Sequence, residues 1–258
     1  MKALIPAAGH GTRFAPFTKL IPKEMLPIGT RPAIARIVDE AAEAGVDEVV
    51  VVTSPEKPLL KRWFEMEPAR VRITWVDQLE QHGLGHAVLQ AAGAFEGEAD
   101  PVLILLGDAL VSGGNASAAM CAVSRAHGNA SVIGCETVPM ERVSRYGVLK
   151  PADPSEVGRA DCPDGASHFL LSDIVEKPRM EDAPSNYVVA GRYLLSPKIF
   201  RYLRDQEAGV GGEIQLTDAI RRMMSEEPVY GYVYPGKRQD IGNPQGYFKA
   251  LEAFNGID

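Results

Sequence analysis

A chain of 258 residues that is 45% hydrophobic and 24% charged can bury one large core or two small ones, which argues against an intrinsically disordered protein. Its formal net charge of −7 argues against a protein that coats nucleic acid, and no apolar run is long enough for a membrane span or a secretory signal. Three scattered cysteines, Cys121, Cys135 and Cys162, show neither a zinc spacing nor a disulfide framework, so we expect a cytoplasmic protein.

A glycine-rich, basic segment follows the first predicted strand, residues 3–5. Gly9 and Gly11 allow the backbone to approach a ligand and to point its N–H groups at phosphate oxygens. Residues 1–36 contain six basic side chains and one acidic side chain, in a chain that is acidic as a whole. The segment therefore predicts an anion pocket for a nucleoside triphosphate, and its isolated cations are Arg13, Lys19 and Lys23. An irregular surface loop with solvated basic residues is the alternative interpretation.

Two common phosphate-binding motifs do not fit this segment. Residues 9–14 lack the third glycine of a dinucleotide fingerprint, and Pro16 prevents a helix from following directly. No G-x-x-x-x-G-K-[ST] string follows a predicted strand, which excludes a P-loop. These absences disfavour a nicotinamide-dependent dehydrogenase and leave a long, proline-stiffened, cationic loop.

Predicted strands alternate with amphipathic helices along the rest of the chain. Hydrophobic spacing predicts helices at residues 32–44, 56–65 and 85–94, strands at residues 48–53, 71–76 and 101–106, and later strands at residues 146–149, 169–175 and 229–234. A final helix is predicted near Asn243, and the polar segment 150–168 is predicted to be an irregular loop. The alternation predicts an α/β fold with a three-layer, Rossmann-like, mostly parallel (mixed) sheet and helices on both faces.

Two carboxylates occupy positions where such a sheet binds ligands. Asp108 comes just after the apolar strand 101–106, and ligands of open α/β sheets lie outside the carboxyl ends of the strands. Asp240 lies between the predicted strand 229–234 and the final helix. Each can hold a cation, or each can be structural: Asp108 as the cap of a turn into residues 109–111, and Asp240 as a helix-entry residue.

Ordered motifs across almost the whole chain resemble the signature of bacterial UTP-glucose-1-phosphate uridylyltransferases, which are sugar-phosphate nucleotidyltransferases. The N-terminal segment contains GHGTR, PFTK and PKEMLP in that order. The later motifs are GLGHA at 83–87, SRYGV at 144–148, VEKP at 175–178, GEIQLTDA at 212–219 and DIGN at 240–243. The resemblance implies a nucleotide-diphospho-sugar transferase fold in a single domain, residues 1–258, with a nucleotide-binding part at about 1–112 and a sugar-binding, metal-completing part at about 113–258.

The resemblance also implies a reaction. A uridylyl group would pass from UTP to glucose 1-phosphate by Mg²⁺-dependent in-line attack, without a covalent intermediate, giving UDP-glucose and pyrophosphate. The same chemistry with dTTP or another sugar 1-phosphate remains open, as does a non-catalytic nucleotide-sugar sensor. Relatives form homo-oligomers, so we expect a dimer or tetramer, although this chain is shorter than most relatives.

Site residues follow from the resemblance motif by motif. It implies catalytic roles for Arg13 and Lys23 and a magnesium site at Asp108 and Asp240, although many relatives have two adjacent acids where this chain has Asp108 alone. The nucleotide-binding residues would be Ala8, Gly9, Gly11, Thr12, Arg13, Gln78 and Gly83. The sugar-phosphate-binding residues would be Gly147, Glu176, Lys177 and Gly191.

Several of these residues have ordinary structural alternatives. Gln78 is either a reader of the pyrimidine edge or a polar loop residue, and Glu176 and Lys177 are either sugar ligands or an exposed ion pair in a turn. His86 is expected to pack or cap a helix. Glu213 is expected in the first turn of a helix, as part of the scaffold.

Overall fold

Within residues 1–157 and 166–255, which the computed structural model describes, the chain forms thirteen strands and seven α-helices. The strands are β1 (Lys2–Pro6), β2 (Pro27–Ile28), β3 (Arg31–Pro32), β4 (Glu48–Thr53), β5 (Arg72–Asp77), β6 (Val102–Leu105), β7 (Ala109–Ser112), β8 (Ser131–Thr137), β9 (Gly147–Pro151), β10 (Ser167–Glu176), β11 (Tyr187–Leu195), β12 (Val229–Val233) and β13 (Lys237–Asp240). The helices are α1 (Ala33–Glu43), α2 (Pro58–Met66), α3 (Leu84–Gln90), α4 (Ala116–Ala126), α5 (Ile199–Arg204), α6 (Leu216–Met223) and α7 (Pro244–Ala253).

Nine strands form one mixed sheet in the order β5-β4-β1-β6-β11-β8-β12-β10-β9. The first four strands of that order are parallel, β11 is antiparallel to both of its main neighbours, and β8 and β12 are again parallel. Strands β10 and β9 complete the far edge in antiparallel pairing. The α/β class and the mixed, mostly parallel sheet predicted from the sequence are confirmed.

Successive side chains of β1 point to opposite faces of the sheet, because a strand has a two-residue repeat. Ala3 and Ile5 join a core with Ile34 of α1 and Met120 of α4, whereas Leu4 joins a second core on the opposite face. Helices α3, α5 and α6 cover that second face through the buried side chains Val88, Leu203 and Ile220. Helices therefore lie on both faces of the sheet, and the strand ends between them are left for the site.

The basic segment after β1 contains only single turns of 3₁₀-helix, Thr12–Phe14, Phe17–Lys19 and Lys23–Met25. Pro16 and Pro22 are the residues that precede the second and third turns. Because proline lacks a backbone donor and clashes with the preceding turn, a longer helix cannot pass through these positions. The predicted irregular, proline-stiffened loop is present.

One local prediction was wrong, and two short strands were not predicted. Glu213 precedes α6 by three residues, because a turn at Val210–Gly212 with left-handed glycines delays the helix, and Asp218 is the acid in its first turn. Residues 109–111 form part of strand β7. Asp240 is the last residue of β13, which pairs antiparallel with β7 in a separate two-stranded ribbon. The strand predicted at residues 229–234 corresponds to β12, and the next strand, β13, was not predicted.

The other predicted strands and helices agree with the structure, apart from small shifts in their bounds. One predicted segment lies partly outside the described residues. The predicted helix 85–94 ends as α3 at Gln90 and continues as a 3₁₀ turn at Ala92–Phe95. The middle of the polar segment 150–168, including Cys162, lies outside the described residues, and Cys121 and Cys135 are buried free thiols. Among the described helices, none combines the length and apolarity needed to cross a bilayer.

Candidate functional site

The loop after β1 is held in a compact conformation by contacts among its own residues. Ala8 is buried, and Gly11 adopts a left-handed conformation with φ of 67°. The Thr18 hydroxyl donates to the carbonyl of Gly11 at 2.9 Å, which holds the loop closed. A Cβ at Gly11 would lie 3.0 Å from the Thr18 methyl, so glycine is required here both by conformation and by space. Thr12 follows as the first residue of the next turn.

A buried lysine from outside the loop fixes its backbone. Lys57 precedes α2, and its Nζ donates to the carbonyl oxygens of Ala7 at 2.7 Å and Gly9 at 2.6 Å. The same ammonium lies 3.1 Å from a carboxylate oxygen of Glu24, which is fully buried. Lys57 therefore fixes the carbonyl groups of Ala7 and Gly9 in this part of the loop.

Burial disfavours the charged form of both Lys57 and Glu24. It raises the pKa of Glu24, although the positive charges of Lys57 and Lys23 act to lower it. It lowers the pKa of Lys57, although the negative charge of Glu24 acts to raise it. Sequence analysis did not identify Lys57 or Glu24 as part of the site. Glu24 lies in the PKEMLP motif, which was a usable signal, whereas Lys57 sits in a segment predicted only as helical.

Two cations of the basic segment contact the two predicted metal-binding carboxylates. Lys23 Nζ lies 2.5 Å from Asp108 Oδ2, and Arg13 Nη1 lies 3.3 Å from Asp240 Oδ2. Burial acts against ionisation of Asp108, but Lys23 and Arg13 hold its pKa below the ordinary value. Burial likewise acts to lower the pKa of Lys23, and the charges of Asp108 and Glu24 raise it overall. Lys19, the third predicted cation, is exposed.

The carboxylates of Asp108 and Asp240 converge on one small space above Gly242. A Cβ placed at Gly242 would lie 2.6 Å from Arg13 Nη2, 2.8 Å from Asp108 Oδ2 and 2.9 Å from Asp240 Oδ1. The backbone N–H of Gly242 and the amide of Asn243 donate to Asp240, which orients its carboxylate. Glycine at 242 therefore leaves open a space that any other side chain would fill.

Magnesium is compatible with this donor set. Mg²⁺ prefers oxygen ligands and is commonly held by one or two carboxylates together with the phosphates of a substrate. Among the described residues, no group of three or more His, Cys, Asp or Glu side chains is arranged as a protein-only metal site. Two convergent carboxylates beside a glycine-rich loop are thus suited to a metal that takes its remaining ligands from a bound phosphate compound.

The predicted base-reading residues belong to a segment that contacts the loop. Gln78 is buried, and its amide nitrogen lies 2.8 Å from His86 Nδ1. Gly83 has φ of 98° and packs against Ile214, since a Cβ there would lie 2.9 Å from the Ile214 carbonyl oxygen. The neighbouring Gln81 donates to the carbonyl of Ala8 at 2.8 Å, so this segment and the loop are directly joined.

His86 makes no side-chain cap at the start of α3, and its ring contacts two glutamine side chains. The ring bridges Gln78 and, through its other nitrogen, the Gln90 amide at 3.0 Å. Partial burial and the neighbouring His82 lower its pKa, which favours the neutral ring. Gln78 is thus held in a fixed orientation by His86, a contact that sequence analysis did not anticipate.

The predicted sugar-side residues form a second cluster at the ends of β9 and β10. A Cβ at Gly147 would lie 3.2 Å from Glu176 Oε2 and 3.1 Å from the Thr217 hydroxyl, so these two side chains pack closely against its backbone. Thr217 donates to Glu176 Oε2 at 2.7 Å. Lys177 is partly exposed, with its Nζ 3.4 Å from Glu176 Oε1 and φ of 43°. Thr217 lies in the GEIQLTDA motif but was not assigned by sequence analysis.

Gly191 connects this cluster to the carboxylates. It lies at an irregularity of β11 with φ of 84°, and its carbonyl accepts a hydrogen bond from the backbone of Leu106 at 3.0 Å. A Cβ at Gly191 would lie 3.1 Å from the Ala109 side chain, immediately after Asp108. The phosphate loop, the carboxylate pair and the sugar-side cluster are therefore joined along one end of the sheet.

Comparisons with known proteins agree with this arrangement. Residues 2–255 match the sequence profile of the family described as "Nucleotidyl transferase". The chain is 39% identical to a UTP–glucose-1-phosphate uridylyltransferase of Staphylococcus epidermidis, over 96% of this chain and 90% of that one, and 38% identical to one of Bacillus subtilis, over 98% and 90%. A solved structure of UDP-glucose pyrophosphorylase complexed with UDP-glucose is 36% identical and superposes with a TM-score of 0.86, covering 98% of this chain and 97% of that chain.

Proposed function

The chain belongs to the nucleotidyl transferase family, and on that premise we propose that it transfers a uridylyl group from UTP to glucose 1-phosphate, giving UDP-glucose and pyrophosphate. The main support from the site is the convergence of Asp108 and Asp240, with Arg13 and Lys23, on one open space beside a glycine-rich loop. Relatives at 38–39% identity over nearly the whole chain support the choice of substrates.

The phosphates of the nucleotide would lie on the backbone N–H groups of residues 8–12. Arg13 and Lys23 would neutralise the triphosphate and the charge that grows on the departing pyrophosphate. Since both substrates are anions, bringing them together requires this neutralisation, and correct alignment then makes the attack effectively intramolecular. A sugar phosphate is already ionised near neutral pH, so no side chain has to act as a general base.

We propose Mg²⁺ as the metal of this site, held by Asp108 and Asp240. When bound, the ion supplies positive charge to the phosphates and orients them. Lys23 and Arg13 keep both carboxylates in position beforehand, through the contacts at 2.5 and 3.3 Å. A depressed pKa for Asp108 favours its ionised, metal-binding form at neutral pH.

The sugar would bind beside Gly147 and Glu176. Glu176 packs against the backbone of Gly147 and would accept hydrogen bonds from the hydroxyl groups of a pyranose ring. Thr217 already donates to one oxygen of that carboxylate and so fixes its orientation. Lys177 would contact the sugar phosphate, and the left-handed turn at Gly191 would bring the backbone of β11 close to it.

Base recognition would fall to Gln78 and Gly83. A glutamine amide both donates and accepts, which matches the edge of uracil, and His86 holds the amide of Gln78 in place. dTTP carries the same hydrogen-bonding edge, so pocket shape rather than hydrogen bonds has to separate the two pyrimidines.

We propose further that residues 1–258 act as a single domain, in which about 1–112 bind the nucleotide and about 113–258 bind the sugar and complete the metal site. We also propose a cytoplasmic homo-oligomer, a dimer or tetramer. Light scattering coupled to size-exclusion chromatography measures the assembly directly, and a monomer at micromolar concentration would contradict it.

Pyrophosphate release tests the proposed reaction. The purified protein is incubated with Mg²⁺, each of UTP, dTTP, CTP, ATP and GTP, and each of glucose, galactose and glucosamine 1-phosphates. We expect the highest rate with UTP and glucose 1-phosphate, and no reaction in excess chelator until Mg²⁺ is restored. A highest rate with another pair of substrates would support the same reaction with a different nucleotide or sugar phosphate. No pyrophosphate release with any pair, together with retained binding of UDP-glucose, would favour a non-catalytic sensor.

A further inference from the structure

A basic cleft of about 630 Å³ opens next to the carboxylate pair, and its lining includes Arg13 and Asp240. We use this name for the space bounded by Arg13, Arg142, Arg145, Arg238, Asp240 and Lys249. Arg13 and Asp240 belong to both the basic cleft and the site described above. The remaining four residues have no role in the proposed reaction.

The charges of the basic cleft do not balance within the described part of the chain. Arg238 is paired with Glu136 at 2.8 Å, and Arg13 is paired with Asp240 at 3.3 Å. Arg142, Arg145 and Lys249 take part in none of the ion pairs formed by the described residues. Three uncompensated cations thus face one cleft in a chain whose formal net charge is −7.

Local structure directs these cations into the same space from two sides. Arg142 and Arg145 lie three residues apart on the 3₁₀ turn Met140–Arg145, and residues at that spacing eclipse one another on such a turn. The Arg142 guanidinium donates to the Tyr146 hydroxyl at 3.3 Å, and Arg238 stacks on the Tyr146 ring at 5.1 Å.

The opposite wall is helix α7. Gln245 and Lys249 both line the basic cleft and are four residues apart, so they lie on one face of the helix. Arg13 closes the end nearest the carboxylates. The basic cleft is therefore a built cationic space, open to solvent, that begins at the residue assigned to the triphosphate tail.

We propose that the basic cleft binds the pyrophosphate that leaves the catalytic centre and guides it to solvent, and that it captures pyrophosphate in the reverse reaction. This rests on the proposed function for the origin of the ligand. Pyrophosphate is a small, highly charged anion that needs several cations and little apolar surface. Arginine offers paired N–H donors that match phosphate oxygens. Arg13 provides continuity, because it can remain in contact with the anion while Arg142 and Arg145 take it up.

The test compares the wild-type protein with the double variant Arg142→Ala/Arg145→Ala. A matched control, Arg62→Ala/Arg70→Ala, removes two exposed arginines, one on α2 and one just before the edge strand β5, and changes the net charge equally. A second variant, Arg142→Lys/Arg145→Lys, keeps the charge and removes the paired donors.

Two measurements are made on each protein. The first is the reverse reaction, from UDP-glucose and pyrophosphate. We expect the KM for pyrophosphate to be about tenfold higher in the double alanine variant, because charge-assisted hydrogen bonds are lost. The KM for UDP-glucose should be nearly unchanged. By calorimetry without nucleotide, we expect pyrophosphate to bind about tenfold more weakly to that variant than to the control, and the lysine variant to fall between them.

Either measurement can overturn the assignment. Equal pyrophosphate binding by the double alanine variant and the control would remove the basic cleft from the path of the product. Binding of inorganic phosphate as tightly as pyrophosphate would instead point to a general phosphate site unrelated to the product. If the wild-type protein makes no UDP-glucose, the proposed function fails, while calorimetry still decides whether the basic cleft binds pyrophosphate.

Discussion

Lys57 is the residue on which the shape of the phosphate loop most depends. Its ammonium reaches two loop carbonyls and the buried carboxylate of Glu24. Ala7 and Glu24 are buried, so the carbonyl of Ala7 and the carboxylate of Glu24 would be left without this partner if the charge were removed. The arrangement links the conformation of the loop to the burial of one ion pair.

We expect Lys57→Met to destabilise the protein by about 3–5 kcal/mol, because it leaves the Glu24 carboxylate buried and unpaired. The KM for UTP should rise as well, since the loop loses its fixed conformation. Chemical denaturation and steady-state kinetics measure the two effects.

The double variant Lys57→Met/Glu24→Gln is the control for this prediction. Removing both charges should restore much of the stability while the KM for UTP stays high, since the loop carbonyls still lack their donor. A single Lys57→Met variant with wild-type stability and KM would show that the loop does not depend on this contact.

Asp108→Asn should lower kcat by at least about 100-fold, since it removes a charge that faces the reacting phosphates, while leaving the fold intact. Circular dichroism checks the fold and pyrophosphate release checks turnover. Asp173→Asn is the matched control, because Asp173 is a surface carboxylate paired with Arg221 at 2.7 Å and lies outside the site. Wild-type turnover in Asp108→Asn would exclude this carboxylate from the mechanism.

At the scale of elements, one buried ion pair ties three of them together. Arg192 of β11 is completely buried, and its guanidinium donates to both oxygens of Glu40 on α1, at 2.9 and 2.6 Å. Ser117 of α4 donates to the same carboxylate at 2.5 Å. Because β11 carries Gly191 next to Arg192, the pair also fixes the strand that joins the carboxylates to the sugar-side cluster.

We expect Glu40→Gln to lower the free energy of unfolding by about 3 kcal/mol at pH 7, because Arg192 would keep a buried, unbalanced charge. Burial acts to raise the pKa of Glu40, yet Arg192 and Ser117 hold it below its ordinary value. A lowered folded-state pKa means that this stabilisation is complete above the unfolded pKa and disappears as the pH falls through the folded value.

The difference in the free energy of unfolding between the wild-type protein and Glu40→Gln should therefore be constant from neutral pH down to about pH 5. It should shrink below about pH 4.3, the ordinary pKa of glutamate. Urea denaturation at several pH values measures it. A difference that is independent of pH throughout this range would mean that the ion pair is not the cause.

Sequence patterns predicted the elements whose hydrophobic spacing is continuous and local. The valine run of β4 and the apolar strand β6 were identified, and Asp108 was placed at a strand end. The ribbon of β7 and β13 was missed because two four-residue strands, one of them reading Lys237-Arg238-Gln239-Asp240, carry no hydrophobic alternation. Lys57 was missed because its role depends on carbonyls some 50 residues earlier, which no local pattern encodes.

At the scale of the whole molecule, the two proposed functional parts share one sheet. Strand β6 of the proposed nucleotide-binding part pairs with β11 of the proposed sugar-binding part, and β7 pairs with β13. Neither part can therefore separate without breaking main-chain hydrogen bonds and splitting both cores.

We expect a single cooperative thermal transition, with equal calorimetric and van't Hoff enthalpies. UDP-glucose should raise the midpoint of that one transition, because a ligand that binds only the folded state stabilises all of it. Differential scanning calorimetry measures both. Two transitions, of which only one responds to UDP-glucose, would contradict the single-domain proposal.

The ribbon of β7 and β13 has a consequence for how the protein is made. Ser112 and its partner Lys237 are 125 residues apart, so β7 leaves the ribosome long before the strand that completes it. Pairing over such a distance forms slowly and late in folding. A growing chain would expose the glycine loop and Asp108 without Asp240, and would have no closed site in which to trap cellular UTP. Catalytic competence would then come in one step, when the ribbon closes, rather than gradually during synthesis.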